Sequence, residues 1–442
     1  MVTLTKIFNH LQPFKVLVLG DFLLDTYTTG KVKRISPEAP VPVMEVQKYE
    51  SRPGGAGNVV LNLTTLGATV FLAGRIGDDS EGNELKDHLI SADTTGLFRE
   101  PNYRTPVKNR LIADSQQLIR VDFESTSPLS PEIEEKVIQY LKEVIPQVQV
   151  IALSDYGKGF LTDTLIKTVL ALAKEKNIPT VIDPKGIDFS KYKGATILKP
   201  NLSEAYAAAK CSTHLPLEDV AAHLIPLAEF LMITRSEAGI SVFDHKGARS
   251  DFPVRSKEVK DVTGAGDTVL SMLCLGLANG LNIYLATQLA NIAASLSVER
   301  LGCVQITLSE LATRLLEYDC DTKIFDESHT YALTQVLNGK KYSLLVLEQG
   351  QMMSNLLFRT IRELAALGKE LIVYVRNSNE EDELLHLLSS LREVNYIILQ
   401  TESLKNLCSA ISPHEIYVLK KDRLTCFNQE NDILDRLIHH SV

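Results

Sequence analysis

The stretch of this chain best equipped for chemistry is Asp261-Val262-Thr263-Gly264-Ala265-Gly266-Asp267-Thr268. Two glycines bracket an alanine, an aspartate follows, and the apolar run Val269 to Ala278 continues behind it. That pattern predicts a tight turn opening a buried helix. The first N–H groups of a helix lack intrahelical partners and carry partial positive charge, and glycine lets an anion approach them closely. The backbone of Gly264, Ala265 and Gly266 is therefore expected to steady a phosphoryl group. Asp267 is not expected to contact that group directly, because two anions repel. Beside it, Asp267 can take the proton of an attacking hydroxyl. The other reading is an ordinary helix start with an acidic first turn. What decides between them is the company this stretch keeps.

The elements that must position it alternate strand and helix. Short apolar runs at Phe14–Gly20, Val70–Ile76, Val150–Asp155, Thr180–Asp183, Ala195–Leu198 and Phe230–Thr234 read as buried parallel strands, with helical stretches between them. This predicts an α/β fold: a central, mainly parallel sheet with helices on both faces. In such sheets ligands bind outside the carboxyl ends of the strands. Asp25, Asp155, Lys185, Asn201 and Thr234 all fall at or just past such ends, with Asp21 and Asp25 expected in a loop. A second glycine-rich turn, Arg52-Pro53-Gly54-Gly55-Ala56-Gly57-Asn58, leads into a helix ending near Gly67. Three prolines in Arg34–Val43 preclude a helix there. The Pro37–Glu50 region, Val107–Ile112 and Gln117–Asp122 read as strands of a small separate sheet.

Composition narrows the classes. The 442 residues leave room for two or three domains, and a formal net charge of −9 argues against a nucleic-acid binder. The six cysteines are scattered with no CxxC pair, which fits a reducing compartment rather than a disulfide framework or metal cluster. Residues 1–12 carry no long apolar run and no stretch is long enough to span a bilayer, so a cytoplasmic protein without membrane contact is expected. There is no GxxxxGK[ST] loop, no GxGxxG after the first strand and no HExxH.

The two glycine-rich turns, one with Asn58 and one with Asp267, resemble the two signatures of the ribokinase-like (PfkB) carbohydrate kinases. Lys199-Pro200-Asn201-Leu202-Ser203-Glu204 resembles the Asn-x-x-Glu element of that family, and Ile233–Gly239 its strand and turn beside the nucleotide. The resemblance runs in order from about Phe14 to Leu311. It implies ATP as phosphoryl donor, Mg2+ held through water near Asn201 and Glu204 with no direct protein ligand, and a nucleotide site including Thr234, Arg235 and Asn291. For Asn291, a satisfied asparagine within a buried helix is an equal alternative. Within the family, Gly20–Asp25, the Arg34–Val43 run, Arg52–Asn58, Leu153–Gly159 and Ile182–Gly186 resemble the heptose 7-phosphate kinases. These phosphorylate D-glycero-D-manno-heptose 7-phosphate at the anomeric oxygen, in the route to ADP-heptose and the lipopolysaccharide core. The resemblance implies that residues 26–52 and 103–123 form a β lid, often shared across a homodimer.

On this basis Asp25 and Asn58 are expected to hold sugar hydroxyls, and Gly54 and Gly55 to let the sugar approach the backbone. A substrate that already carries a phosphate needs local cations, for which Lys158, Lys185, Arg34, Arg110 and Arg120 are the candidates; a solvated surface charge is the other reading, an equal one for Arg34, Arg110 and Arg120, whereas Lys185, in Asp-Pro-Lys-Gly at a strand end, is expected at the site. The kinase domain is expected over residues 1–318, a linker over 319–335, and a small α/β domain over 336–442. The latter's strand rhythm resembles a nucleotidyltransferase, but Glu348–Asn355 stands where that family has His-x-Gly-His, and holds no histidine. A degenerate domain without nucleotidyl transfer follows. The alternatives to a heptose phosphate kinase are a kinase of another sugar or phosphosugar, and a non-catalytic scaffold that keeps the pocket.

Overall fold

The computed structural model describes residues 8, 11–114, 116–254, 259–300, 302–319, 323–326, 329–347, 351–376, 383–399, 404–420 and 423–428. They divide into two units: Gln12–Thr307, and the described residues from Leu308 onward together with Phe8 and Leu11.

The first unit is built on β1 (Lys15–Gly20), whose five residues after Lys15 are all buried, as expected of a parallel strand covered on both faces. The strands β2 (Phe22–Ile35), β3 (Pro42–Gly55), β4 (Thr69–Ile76), β5 (Leu97–Arg99), β6 (Val107–Ala113), β7 (Gln116–Phe123), β8 (Val150–Ser154), β9 (Thr180–Asp183), β10 (Ala195–Leu198), β11 (Ala228–Thr234), β12 (Ile240–Asp244) and β13 (Arg249–Phe252) follow in chain order. Among the described residues the main sheet runs β13-β12-β11-β10-β9-β8-β1-β4-β5, and only the β11–β12 and β12–β13 pairs are antiparallel. The helix Ala265–Ala278 is buried from Asp267 to Gly276, because its sequence is apolar nearly all round. The edge hairpin β12–β13, absent from the strand pattern above, turns where Asp244 accepts the N–H groups of Lys246 and Ala248.

The segments expected to form a lid make a second sheet in the order β3-β2-β6-β7. The three strand regions read from sequence are present, but β2 is central to the sheet and pairs with both β3 and β6. This corrects two expectations. Asp25 lies inside β2, opposite Arg52 on β3 and Lys108 on β6, and not in a loop. Gly54 and Gly55 are the last residues of β3, which enters the helix Ala56–Thr65 with no intervening turn. The β-branched and aromatic residues of Thr26-Tyr27-Thr28-Thr29 are the signal for this strand.

The second unit holds β14 (Ile324–Phe325), β15 (Tyr342–Leu347), β16 (Glu370–Val375), β17 (Tyr396–Leu399), β18 (Glu415–Lys420) and β19 (Arg423–Asn428). Its sheet runs β14-β17-β16-β15-β18-β19, parallel except for β19. Its core is formed by Leu345, Leu347, Ile361, Val373, Leu385 and Ile397 among others. The segment expected as a linker contributes β14 to this sheet, since the apolar pair Ile324-Phe325 has a strand edge to join. The helix Leu308–Asp319 also falls in this unit, as does Phe8, whose ring meets Tyr331 at 5.6 Å. Residues 348–350 lie outside the described residues, as does Asn377-Ser378, which stands where nucleotidyltransferases have a strand ending in Asn-Ser. The rest of the histidine-free segment leads to Ser354, which caps the helix Asn355–Ala366 by accepting from Leu357 N–H.

Candidate active site

Gly264 caps the helix Ala265–Ala278 with φ 78° and ψ −1°, the left-handed region that glycine adopts without steric cost. A Cβ there would stand 3.0 Å from Asn58 Nδ2 and 3.2 Å from Cys303 Sγ. Asp267 therefore sits in the first helical turn and is only 4% exposed. Both carboxylate oxygens are held: Asn58 Nδ2 donates to Oδ2 at 2.7 Å, and Tyr156 O–H donates to Oδ1 at 3.1 Å. Burial pushes this carboxyl up to about 7, opposed by the Asn58 bond, assisted by the Asp183 charge, and opposed again by Lys199 and the Tyr156 bond. A carboxylate with that affinity for protons is a competent base at neutral pH. Asn58 is itself held at its Oδ1 by Gln305 Nε2, at 3.4 Å.

Ala265 and Gly266 line a cavity of about 500 Å3 with Thr234, Gly239, Val262 and Asn291. Asp183, Lys185, Lys199, Asn201 and Glu204 line the same cavity. Asn201 and Glu204 form a capping box on the helix Leu202–Ala208: Asn201 Oδ1 accepts from Glu204 N–H at 2.9 Å, and Glu204 Oε2 accepts from Asn201 N–H at 3.0 Å. The spacing thus has a local structural use that fixes both side chains at the cavity. Asn291 donates to the carbonyls of Pro253 at 2.8 Å and Phe252 at 3.3 Å, so it is a satisfied helix asparagine and a lining residue at once. Arg235 does not line the cavity; it braces the hairpin through Asp251 and the Ala238 carbonyl.

Beside Tyr156 lies a polar cluster. Asp25, buried in β2, is gripped by Arg110 of β6, whose guanidinium lies 5.4 Å from the Tyr27 ring centroid. Lys108 Nζ lies 5.1 Å from the Tyr156 ring centroid. Burial lowers the proton affinity of Lys108, and the Asp25 charge opposes that shift. Gly54 is required here, since a Cβ would stand 2.1 Å from Asp25 Oδ2. Lys158 pairs with Glu124 at 2.6 Å. Asn58 is thus set on Asp267, and Gly54 and Arg110 on Asp25.

The remaining cations are held differently. Arg34 is exposed on the outer part of β2. Arg120 forms a two-pronged pair with Asp122 on its own strand, at 2.8 and 2.9 Å. Lys185, expected at the sugar phosphate, instead pairs with Glu204 at 2.8 Å and lines the cavity with Thr234 and Asn291. The strand end that carries Lys185 faces that side, and sequence order alone cannot tell the two sides apart.

Sequence reasoning passed over four groups. Tyr156 and Lys108 are described above. Lys199, 2% exposed, pairs with Asp183 at 2.9 Å. Both stand within 3.7 Å of the Cβ position of Gly266, at the N-terminus of the Ala265 helix. A lysine so placed adds a fixed cation to the helix's own partial charge. Asp21, 3% exposed, accepts the N–H groups of Tyr156 and Lys158, each at 2.9 Å, and so shapes the loop after β8. The signal was Asp155-Tyr156-Gly157-Lys158-Gly159 itself, a polar loop with two glycines at a strand end, from which Asp155 and Lys158 were singled out but Tyr156 was not.

Comparison with known proteins agrees with this geometry. Residues 14–310 match the model of the pfkB family carbohydrate kinases. The chain is 38% identical over 436 residues to the bifunctional protein HldE of Pelobacter propionicus, covering 93% of this chain and 89% of that one. With HldE of Geotalea uraniireducens the identity is 42% over 344 residues, covering 76% and 70%. In fold it is similar to an Arabidopsis thaliana ribokinase complexed with ribose and ATP (TM-score 0.56, 17% identity, 69% of this chain and 99% of that one). It is likewise similar to phosphofructokinase-2 of Escherichia coli (TM-score 0.57, 16% identity, 70% and 100%). At such identity these two establish the fold alone. No helix among the described residues is long and apolar enough to cross a membrane. With the family match spanning residues 14–310, Asp267 and the second sheet among them, the chain belongs to the pfkB family of carbohydrate kinases and is a sugar kinase.

Proposed function

We propose that the protein transfers the γ-phosphoryl group of ATP to the anomeric oxygen of D-glycero-D-manno-heptose 7-phosphate, giving the 1,7-bisphosphate for ADP-heptose synthesis. The observation that carries this is the buried Asp267 carboxylate in the first turn of a helix whose start, Ala265 and Gly266, lines a cavity of about 500 Å3, with its hydrogen-bond partner Tyr156 beside Lys108. Asp267 takes the proton of the anomeric hydroxyl. The N–H groups of the Gly264–Gly266 turn, with Lys199 beside them, steady the negative charge of the group in transfer. Asp25 and Asn58 orient the sugar, and Arg110 and Lys108 are the cations on its side. Thr234, Gly239 and Asn291 border the space for the nucleotide. HldE relatives at 38% and 42% identity support the heptose substrate.

Mg2+ fits a site in which it arrives with the nucleotide. Glu204 and Asp183 are each neutralised by a lysine, and no group of three or more His, Cys, Asp or Glu side chains is arranged for a metal among the described residues. Asn201 and Glu204 would hold its water shell, and the ion would supply charge neutralisation at the phosphates.

We further propose a homodimer through the lid, supported by exposed Ile35, Val41, Val46 and Tyr49 on and between β2 and β3, and action in the cytoplasm, where ATP is supplied. The second unit is assigned no nucleotidyl transfer, since residues 348–355 contain no histidine. An ADP-release assay comparing heptose 7-phosphate, fructose 6-phosphate and ribose tests the proposal. Heptose 7-phosphate should have the highest kcat/KM and Asp267→Asn should abolish the difference. Preference for another sugar overturns the substrate, and no sugar-dependent release with any of the three leaves the scaffold.

A further inference from the structure

Several buried charges fix the loop after β8. Asp21 accepts the N–H groups of Tyr156, Lys158 and Phe160, and Asp155 accepts that of Gly157 at 2.7 Å. From below, Arg75 donates to the Lys158 carbonyl at 2.7 Å, pairs with Glu100 at 2.6 Å and stacks on Tyr103 at 3.9 Å from the ring centroid. Arg75 is 2% exposed. Burying this much charge is costly unless the geometry it holds is needed. What the loop presents to Asp267 is the Tyr156 phenol, at 3.1 Å from Oδ1.

We propose that Tyr156 is a positioning residue for phosphoryl transfer: its O–H holds Oδ1 of Asp267 while Asn58 holds Oδ2, so that the carboxylate keeps one orientation and stays the acceptor for the sugar hydroxyl's proton. This rests on Asp267 being the base. An ionised carboxylate offers about four acceptor sites, and these two bonds leave one on each oxygen. The charged and titratable groups facing Asp267 are Asp183 at the end of β9, Lys199 after β10, Tyr156 after β8 and Cys303. Lys108 Nζ lies over the Tyr156 ring, 5.1 Å from its centroid. Burial and Asp183 favour the protonated acid, whereas Asn58, Lys199 and Tyr156 favour the carboxylate. Without the phenol the balance moves toward the acid, and a protonated Asp267 cannot accept.

The test is a titration of full-length protein labelled with 13C at the aspartate carboxyls, followed by NMR. Asp267→Asn assigns the Asp267 resonance, and Tyr156→Phe keeps the ring while removing the donor. The Asp267 midpoint in Tyr156→Phe should rise by about one pH unit, the order expected for losing one hydrogen bond to a charged group. The acid limb of kcat should rise with it, and activity should recover at high pH. An unmoved midpoint overturns the proposal, as does a loss of kcat that is uniform across pH. The titration needs no sugar, so a wrong substrate would fail in the turnover assay and leave this result standing.

Discussion

Replacing Asp267 by Asn should cost catalysis and repay stability, by an amount that depends on pH. The carboxyl rises from an ordinary 3.8 to about 7 because it is buried. At about 1.4 kcal/mol per unit, holding it ionised in the folded state costs on the order of 4 kcal/mol. Its folded-state pKa lies above the unfolded one, so the folded protein binds more protons in the window from 3.8 to about 7. Stability therefore falls as pH rises through that window and stays low above it. Asparagine carries no charge at any pH and escapes this loss. The stability difference in favour of Asp267→Asn should widen by roughly 2–3 kcal/mol between about pH 5 and about pH 8. Urea unfolding followed by circular dichroism at the two pH values measures it on the full chain. In parallel, kcat should drop by at least ~10²-fold, the usual loss for a general base. An equal stability difference at both pH values would show that the ionised carboxylate is held without cost, and the reasoning about burial would be wrong.

Lys185→Ala should raise KM for ATP more than KM for the phosphosugar, because Lys185 lines the cavity and pairs with Glu204; steady-state kinetics in both substrates decide it, and the reverse ordering would return Lys185 to the sugar phosphate. Lys199→Met removes the partner of Asp183, whose side chain is 19% exposed at the cavity, and should destabilise the chain by about 1–3 kcal/mol at neutral pH, read by urea unfolding; no measurable loss would mean that water already serves Asp183. Protein given heptose 1-phosphate, Mg2+ and either ATP or CTP should release no pyrophosphate above background, and sugar-dependent release would show that the second unit retains transferase chemistry.

The parallel strands, the buried helix behind Asp267 and the α/β rhythm of the second unit were legible because each rests on a local pattern: an apolar run, a glycine turn, an alternation. Asp267 was singled out for the same reason, and Asn58, Asp25, Gly54 and the Asn201–Glu204 pair through the family resemblance; the structure sets Asn58 on Asp267, Gly54 against Asp25 and Asn201 against Glu204. What stayed hidden was long-range. Whether Lys185 faces the sugar or the nucleotide depends on which side of the Ala265 helix the end of β9 reaches, and Arg120 looked like a substrate cation until its strand placed Asp122 beside it. Lys199 and Tyr156 resemble ordinary polar residues in sequence, and only the fold sets them against the first turn of the Ala265 helix and the base. The strand β2 was hidden by reading Asp25 as a loop residue, although its neighbours are β-branched and aromatic.

The most direct test is 31P NMR of the reaction of purified protein with heptose 7-phosphate, ATP and Mg2+. One new phosphorus signal coupled to the anomeric proton should grow in step with ADP, while the signal of the 7-phosphate persists. ADP formed with free phosphate alone, or a new ester at another carbon, would contradict the assignment of the anomeric oxygen as acceptor.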